Sequence, residues 1–359
     1  MKLTISTEKL KDMVMRVSKG VGNNKLIPLT SLMCIEVKDS ILTFITTDAT
    51  NYLYITDEID ADDFYVVVDA NTFSKLVSKM TCEYVSIEVK SRVLNVIGNG
   101  TYKIELPLDE DGQPIKYPNP SEYLILDSMK EITLNRSTVQ VILDTIKPAL
   151  AVTLEEPCYT GYYVGKQVVA TDTYKIASMD INLFDVARLV SPEFLDLFSV
   201  MTAEKITVYM NDDSIFCNTL DCSIYGRFME GIEDYAIDAI MSLVETDFES
   251  FCAVPKSALL QLLDRLSLFV GTYDKNAVDL TFTKDGLQVS SKAANGIELI
   301  EYTAVEKFKD FTCSVDIQML EQEVKAIQND VIEMYYGRDN AIKMTDGNVT
   351  IIVALLEDE

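Results

Sequence analysis

The side chains that could do chemistry in this chain of 359 residues are carboxylates, amines and thiols, because histidine is absent. Without an imidazole there is no Ser-His or Cys-His nucleophile pair, no usual zinc site and no group that ordinarily exchanges protons near neutral pH. Carboxylate-only or lysine-based catalysis stays open. Its candidates are the acidic clusters Asp57-Glu58, Asp60, Asp62-Asp63 and Asp109-Glu110-Asp111. All of these fall in loops and linkers, where solvated surface charge is the expected role. No Gly-rich phosphate loop is present. The seven cysteines are scattered, and the closest pair, Cys217 and Cys222, sits in strand-like sequence. Buried reduced thiols are expected.

The elements around these residues recur. Ser6-Thr7-Glu8-Lys9-Leu10, Asn135-Arg136-Ser137-Thr138-Val139 and Pro255-Lys256-Ser257-Ala258-Leu259 each open a helix-like stretch after a short apolar strand. Val68-Asp69-Ala70-Asn71-Thr72-Phe73 recurs as Val190-Ser191-Pro192-Glu193-Phe194 and Val315-Asp316-Ile317-Gln318-Met319, at offsets of 122 and 125 residues. Solenoid units run to about 20–50 residues, so a period this long is that of a small domain. Three tandem copies are expected, with domains at 1–120, 128–245 and 250–359.

In the first copy a helix is expected over 8–19, with Leu10, Met13, Val14 and Val17 on one face. Strands follow at 32–37, 41–46, 51–55 and 65–68, then a helix at 71–80 and antiparallel strands at 84–89, 93–97 and 103–106. The first helices of the later copies are expected at 139–146 and 259–268, and the second at 194–201 and 319–327. A turn is expected at 337–340. The stretches 109–127 and 231–249 read as connections. Each copy is thus an α+β layer with helices on one face of antiparallel strands.

The net charge of −26 argues against nucleic acid when taken alone. Its distribution is uneven: residues 1–120 carry 13 Lys and Arg against 17 Asp and Glu, whereas the remainder carries 18 against 40. No apolar run approaches the roughly 18 residues of a membrane span, and Met1-Lys2-Leu3-Thr4-Ile5-Ser6 has no signal-like apolar region. A cytoplasmic location without a membrane partner is expected.

Two segments carry a specific likeness. Ala170-Thr171-Asp172-Thr173-Tyr174-Lys175-Ile176-Ala177 and Tyr225-Gly226-Arg227-Phe228 resemble the A-T-D-G-H-R-L-A and G-R-F segments of bacterial DNA polymerase III β subunits, the sliding clamps. Met1-Lys2-Leu3-Thr4-Ile5, Ile27-Pro28-Leu29 and Thr46-Thr47-Asp48 are also similar. Together with the repeat, the resemblance covers nearly the whole chain. The departures are Thr173-Tyr174-Lys175 for Gly-His-Arg, Glu233-Asp234-Tyr235 for the Pro-Asp-Tyr that follows Gly-Arg-Phe, Val353-Ala354 for the Met-Pro or Leu-Pro near the end, and an acidic Glu357-Asp358-Glu359. The chain resembles a divergent clamp.

The resemblance implies three tandem clamp domains, with antiparallel sheets outside and two helices per domain lining a ring. It implies a head-to-tail homodimer that encircles duplex DNA without regard to sequence and tethers a DNA polymerase, loaded by a clamp loader. It also implies no catalytic residue, no metal and no cofactor. The basic candidates for facing DNA are Lys9, Arg16, Lys19, Lys25, Lys75, Lys79, Arg136 and Lys147. Glu193 and Asp196 on the second helix of the middle copy would repel phosphate, and Glu321 lies among Gln318, Gln322 and Lys325. The partner-peptide pocket implied by alignment is Tyr159, Thr171, Thr173, Tyr174, Lys175, Ile176, Ile351, Val353, Ala354 and Leu355. The implied dimer interface is Tyr102, Phe269 and Val270. A duplicated structural or scaffolding protein of a phage is the alternative; it leaves the Ala-Thr-Asp and Gly-Arg-Phe segments unexplained.

Overall fold

The computed structural model describes residues 2–357 except 272, 274, 293, 294 and 339. Asp339 of the expected turn and Asp358 and Glu359 of the acidic end therefore lie outside the described residues. Seven α-helices occur among the described residues: α1 (Thr7–Val17), α2 (Ala70–Ser78), α3 (Arg136–Val141), α4 (Pro192–Asp196), α5 (Ile237–Val244), α6 (Lys256–Leu266) and α7 (Ile317–Ala326).

The chain forms two compact units, Met1–Val139 with Glu193–Phe228, and Gln140–Pro192 with Met229–Glu359. In the first, an eight-stranded sheet runs Phe64–Asp69, Leu32–Lys38, Ile41–Thr47, Tyr52–Glu58, Cys222–Arg227, Ser214–Asn218, Lys205–Met210, Lys130–Asn135. A four-stranded sheet joins Lys2–Ser6, Tyr84–Lys90, Val93–Ile97 and Thr101–Glu105. The second unit has a nine-stranded sheet that includes Val168–Thr171, Lys175–Met179, Val349–Ala354 and Ala341–Asp346 in that order. Its four-stranded sheet runs Ile297–Ile300, Gly286–Ser291, Ala277–Thr283, Phe311–Asp316. All pairings shown are antiparallel, and each large sheet passes from one sequence repeat into the next, through Tyr225 opposite Tyr52 in one unit and Lys175 opposite Val353 in the other.

The repeats keep the same local geometry. The first helical N–H after each opening strand donates to the carbonyl that precedes a late strand: Thr7 to Glu83 (3.0 Å), Arg136 to Glu204 (2.8 Å) and Lys256 to Asp330 (2.8 Å). Each bond satisfies one of the helix-start donors that have no partner inside the helix. Asp69 and Asp316 cap α2 and α7 through their carboxylates. Leu10, Met13, Val14 and Val17 of α1 and Phe73 and Val77 of α2 are buried, and the Phe73 ring lies 6.3 Å from Phe44 of the sheet. Each such side chain contributes about 1.5–3 kcal/mol.

The helix ends differ from the expected ones for identifiable reasons. α1 stops at Val17 and a 3₁₀ turn covers Ser18–Gly20, because the Thr46 hydroxyl takes the Val17 carbonyl at 2.7 Å. A Cβ on Gly20 would lie 2.5 Å from Thr46 Oγ1, so this close approach needs glycine. α2 begins one residue early, at Ala70, and ends at Ser78. The helix expected over 139–146 is α-helical only to Val141 and π-helical over Ile142–Ile146. The one expected over 194–201 tightens to 3₁₀ at Leu197–Val200, where Arg16 Nε donates to the Val200 carbonyl. α6 and α7 start at Lys256 and Ile317, ahead of the expected 259 and 319, since the strand-to-helix bond and the Asp316 cap set their first turns. The stretch 231–249 is more than a connection: it holds a 3₁₀ turn at Ile232–Asp234 and α5.

Candidate functional site

On the first unit, α1 and α2 lie side by side and enclose a groove lined by Lys11, Val14, Met15, Ser18, Lys19, Ser74, Lys75, Val77 and Ser78. The Ser18 and Ser74 hydroxyls meet at 2.9 Å across its floor. Lys19, Lys75 and Lys79 are exposed, and Lys25 is exposed on a loop. Lys9 and Arg16 are placed differently. Lys9 Nζ pairs with Asp57 at 2.5 Å. The Arg16 guanidinium, with its side chain 11% exposed, bonds Asp221 at 2.8 Å and the Val200 carbonyl at 3.0 Å. Arg16 therefore ties α1 to the Leu197–Val200 turn. Arg136 is exposed and reaches the Met201 carbonyl at 3.4 Å, and Lys147 is half-buried. Sequence reasoning missed Lys11 and Met15. Their signal was the i, i+4, i+8 stripe Lys11-Met15-Lys19, which the structure turns toward α2.

On the second unit, Thr171–Lys175 forms a tight loop between two strands. The Thr171 hydroxyl donates to the Lys175 carbonyl at 2.7 Å, and Asp172 Oδ1 accepts from the Tyr174 and Lys175 N–H groups at 3.0 and 2.7 Å. Thr47-Asp48-Ala49-Thr50-Asn51 repeats this loop bond for bond in the first unit. The third loop residue has positive φ in both, +90° at Ala49 and +76° at Thr173. A β-branched residue is strained there, and glycine is the residue without that strain.

The strand after the loop divides the expected pocket residues between two faces. Lys175 is 4% exposed and points toward α7. Its ammonium donates to the Pro148 carbonyl at 2.6 Å and to Gln322 Oε1 at 2.9 Å, and lies 3.4 Å from Glu323 and 3.6 Å from Asp172. Glu323 is fully buried, and that burial pushes its carboxyl up to about 7 although Lys175 pulls the other way. Val353 lies opposite Lys175 and is buried, as is Ile351 two residues earlier. Ile176 and Ile352 turn to the other face, in a cluster with Tyr159, Tyr235 and Ile240. The Tyr159 and Tyr235 rings meet edge to face at 5.0 Å, and the Tyr235 hydroxyl donates to the Val169 carbonyl at 3.2 Å. Ile237, Met241 and Val244 of α5 cover this cluster. Thr171 is buried, Thr173 and Tyr174 are exposed, and Ala354 and Leu355 are half-buried. The Ala354 N–H donates to the Tyr174 carbonyl at 2.9 Å, which holds the loop against the last strand. Val152 and Leu154, which sequence reasoning missed, are 97% and 78% exposed on the segment that follows Pro148.

The remaining expected residues lie at sheet margins. Tyr102 is 40% exposed on Thr101–Glu105, the edge strand of the first unit's small sheet. Phe269, 49% exposed, and Val270 follow α6 in the second unit. Beside them the edge strand Ile297–Ile300 presents Ile297 and Leu299, each 55% exposed, which were not anticipated. Arg265 of α6 grips Glu298 of that strand with two bonds, of 2.8 and 2.5 Å. Among the described residues no group of three or more acids or thiols is placed to hold a metal ion, and no helix is long and apolar enough to cross a membrane.

Gly226 shows why Gly-Arg-Phe keeps its glycine: a Cβ there would collide with the Phe194 ring and lie 2.8 Å from Asn51 Oδ1.

Comparison with known proteins gives a consistent answer. Residues 1–114 match the model of the DNA polymerase III beta subunit, N-terminal domain. A beta sliding clamp of Bacillus subtilis (strain 168) is 22% identical over 333 residues, covering 86% of this chain and 85% of that protein. The beta subunit of DNA polymerase from Streptococcus pyogenes superposes with a TM-score of 0.88 at 16% identity, over all of both chains. The DNA polymerase III subunit beta of Borrelia burgdorferi, solved in complex with a natural product, gives 0.86 at 16% identity, again over all of both chains. Nothing in these comparisons supports a phage scaffold.

Proposed function

We propose that this chain, a divergent member of the beta sliding-clamp family, works as a DNA polymerase processivity factor by encircling duplex DNA. The observation that carries the reading is the clamp fold itself, which spans the whole chain, together with the family match over its first 114 residues. In this reading the three sequence repeats are three clamp domains, supported by the threefold strand-to-helix bond, and two chains close head to tail into a ring. The protein catalyses nothing; it holds a polymerase to DNA by topology, after a clamp loader opens the ring.

The residues fit these roles by elementary electrostatics. The groove between α1 and α2 offers Lys11, Lys19 and Lys75 to the duplex, with Lys79 and Lys25 nearby in sequence. Exposed ammonium groups attract backbone phosphate irrespective of sequence, while the excess acid elsewhere discourages binding to the outside of DNA. Lys9 and Arg16, already paired, contribute less than the sequence suggests. Partner proteins dock at Tyr174, Thr173, Ala354 and Leu355, over the cluster of Tyr159, Ile176 and Tyr235. The ring closes through the edge strands that carry Tyr102 in one chain and Ile297 and Leu299, beside Phe269, in the other.

Loading onto nicked circular DNA followed by linearisation tests the reading. A ring slides off the cut ends, so retention falls to background after cutting and stays high on the uncut circle. Equal retention on both forms would sink it.

A further inference from the structure

Each unit holds a cation, largely withdrawn from solvent, that reaches from one sequence repeat into the next, and the two differ in the acids they meet. In the first unit Arg16 of α1 donates to the Val200 carbonyl at 3.0 Å and pairs with Asp221 at 2.8 Å. The Asp221 side chain is 35% exposed, so water also solvates its charge. In the second unit Lys175 of the second repeat meets α7 of the third. An ammonium has three hydrogens. The Pro148 carbonyl at 2.6 Å and Gln322 Oε1 at 2.9 Å take two of them. The last is left to two carboxylates, Glu323 at 3.4 Å and Asp172 Oδ2 at 3.6 Å. Asp172 has further support, because its Oδ1 accepts the Tyr174 and Lys175 N–H groups at 3.0 and 2.7 Å. Glu323 has none: its side chain is fully buried and neither oxygen has a hydrogen bond. A buried carboxylate in that position is stabilised by taking up a proton. The other charged groups on the elements packed against α7 are engaged with one another or with backbone. Asp144 accepts from Gln140, Asp316 caps α7, Arg265 grips Glu298, and Lys256 donates to the Lys325 and Ile327 carbonyls. Asp264 is exposed, and Lys147, half-buried, lies on the turn that presents the Pro148 carbonyl. On α7 itself Glu321 pairs with Lys325 at 2.8 Å.

We propose that the joint between the second and third sequence repeats is a proton-operated latch, closed while Glu323 is protonated and loosened when that proton is lost. With the proton in place, a neutral carboxyl lies under α7 and Lys175 serves Asp172, Gln322 and Pro148. Without it, two carboxylates compete for one ammonium hydrogen, and Glu323 is better solvated when α7 parts from the loop at 171–175. That loop carries Thr173 and Tyr174, so the latch regulates how firmly both are held. The Arg16 joint has no fully buried carboxyl and is expected to be indifferent to pH over the same range.

Amide hydrogen exchange of the full chain tests this, read by mass spectrometry at about pH 5.5 and about pH 7.5 and divided by the intrinsic rate at each pH. Burial holds the Glu323 carboxyl at about 7, above its ordinary 4.5, so its hold on the closed joint is full below about pH 4.5 and is lost as pH rises toward about 7. One proton released on opening then lowers the protection of residues 171–175 and 320–326 by about tenfold or more between the two conditions. Protection in α1 and in Leu197–Val200, around Arg16, is expected to change by less than about threefold. Glu323→Gln keeps a neutral group of the same shape and should remove the drop. Asp172→Asn takes away the competing charge and should make the drop smaller than in the unaltered chain. No drop at the Lys175 joint, or an equal drop around Arg16, would overturn the inference. So would a Glu323→Gln protein that drops like the unaltered chain, or an Asp172→Asn protein with the same drop. If Glu323→Gln fails to fold, the comparison of the two joints in the unaltered chain still decides.

Discussion

At Lys175 one side chain does work that its neighbours in sequence do not disclose. Its ammonium is anchored beneath the loop, and its buried partner Glu323 has no hydrogen bond to either carboxylate oxygen. A carboxyl held at about 7, above its ordinary value of 4.5, binds a proton more tightly in the folded chain than in the unfolded one. The contribution of Glu323 to stability is then full below about pH 4.5 and is lost as pH rises toward about 7, a change on the order of 3 kcal/mol. Urea unfolding across this window should show that slope, and Glu323→Gln should flatten it; an identical slope in both proteins would assign it elsewhere. Thr173 makes a second residue-level prediction. Its φ of +76° strains a β-branched residue, so Thr173→Gly should raise stability by about 1 kcal/mol, read from the urea midpoint. No gain would mean that side-chain contacts already offset the strain.

At the scale of elements, the packing of α1 against α2 decides which lysines are free. A helical wheel of α1 places Lys9, Arg16 and Lys19 opposite the core, and it was right about the core: Leu10, Met13, Val14 and Val17 are all buried. A wheel contains neither the neighbouring helix nor Asp57 and Asp221, which belong to other strands and turns. The triple variant K11A/K19A/K75A should lower the dependence of binding to nicked circular duplex on salt by about 2 to 3 in the log–log slope, whereas Lys9→Ala should leave it unchanged. The reverse ranking would place DNA on another face. α5 makes the same point about legibility. Ile237, Ile240, Met241 and Val244 carry helical spacing, but the helix is short and has no side-chain N-cap, so the stretch read as a connection.

For the whole molecule, the proposed assembly rests on unfinished edges. A strand edge with exposed apolar side chains favours a partner strand. Ile297 and Leu299 stand out on theirs, and Tyr102 on the other, so in the proposed ring Ile297→Asp with Leu299→Asp should dissociate the dimer at nanomolar concentration, as should Phe269→Asp to a smaller degree. Sedimentation that stays dimeric in both variants would place the interface elsewhere. The charge of −26 belongs to this scale too, since a net charge acts on any charged molecule as a field and not through single contacts.

The sequence by itself determined the repeat, its β-then-α order, the buried helix faces and the likeness to clamps. All of these depend on residues near one another in the chain: 2- and 3.6-residue periodicity, the recurring strand-to-helix openings, and the short Ala-Thr-Asp and Gly-Arg-Phe segments. Only the tertiary structure decided that Lys175 is buried against Glu323, 148 positions away, that Arg16 is spent on Asp221, and that Ile176 and Val353 look to opposite faces of one sheet. Local pattern specifies which side chains alternate inward. What they meet there is set by long-range strand pairing, and that pairing divides a list of matching residues between two faces of one sheet.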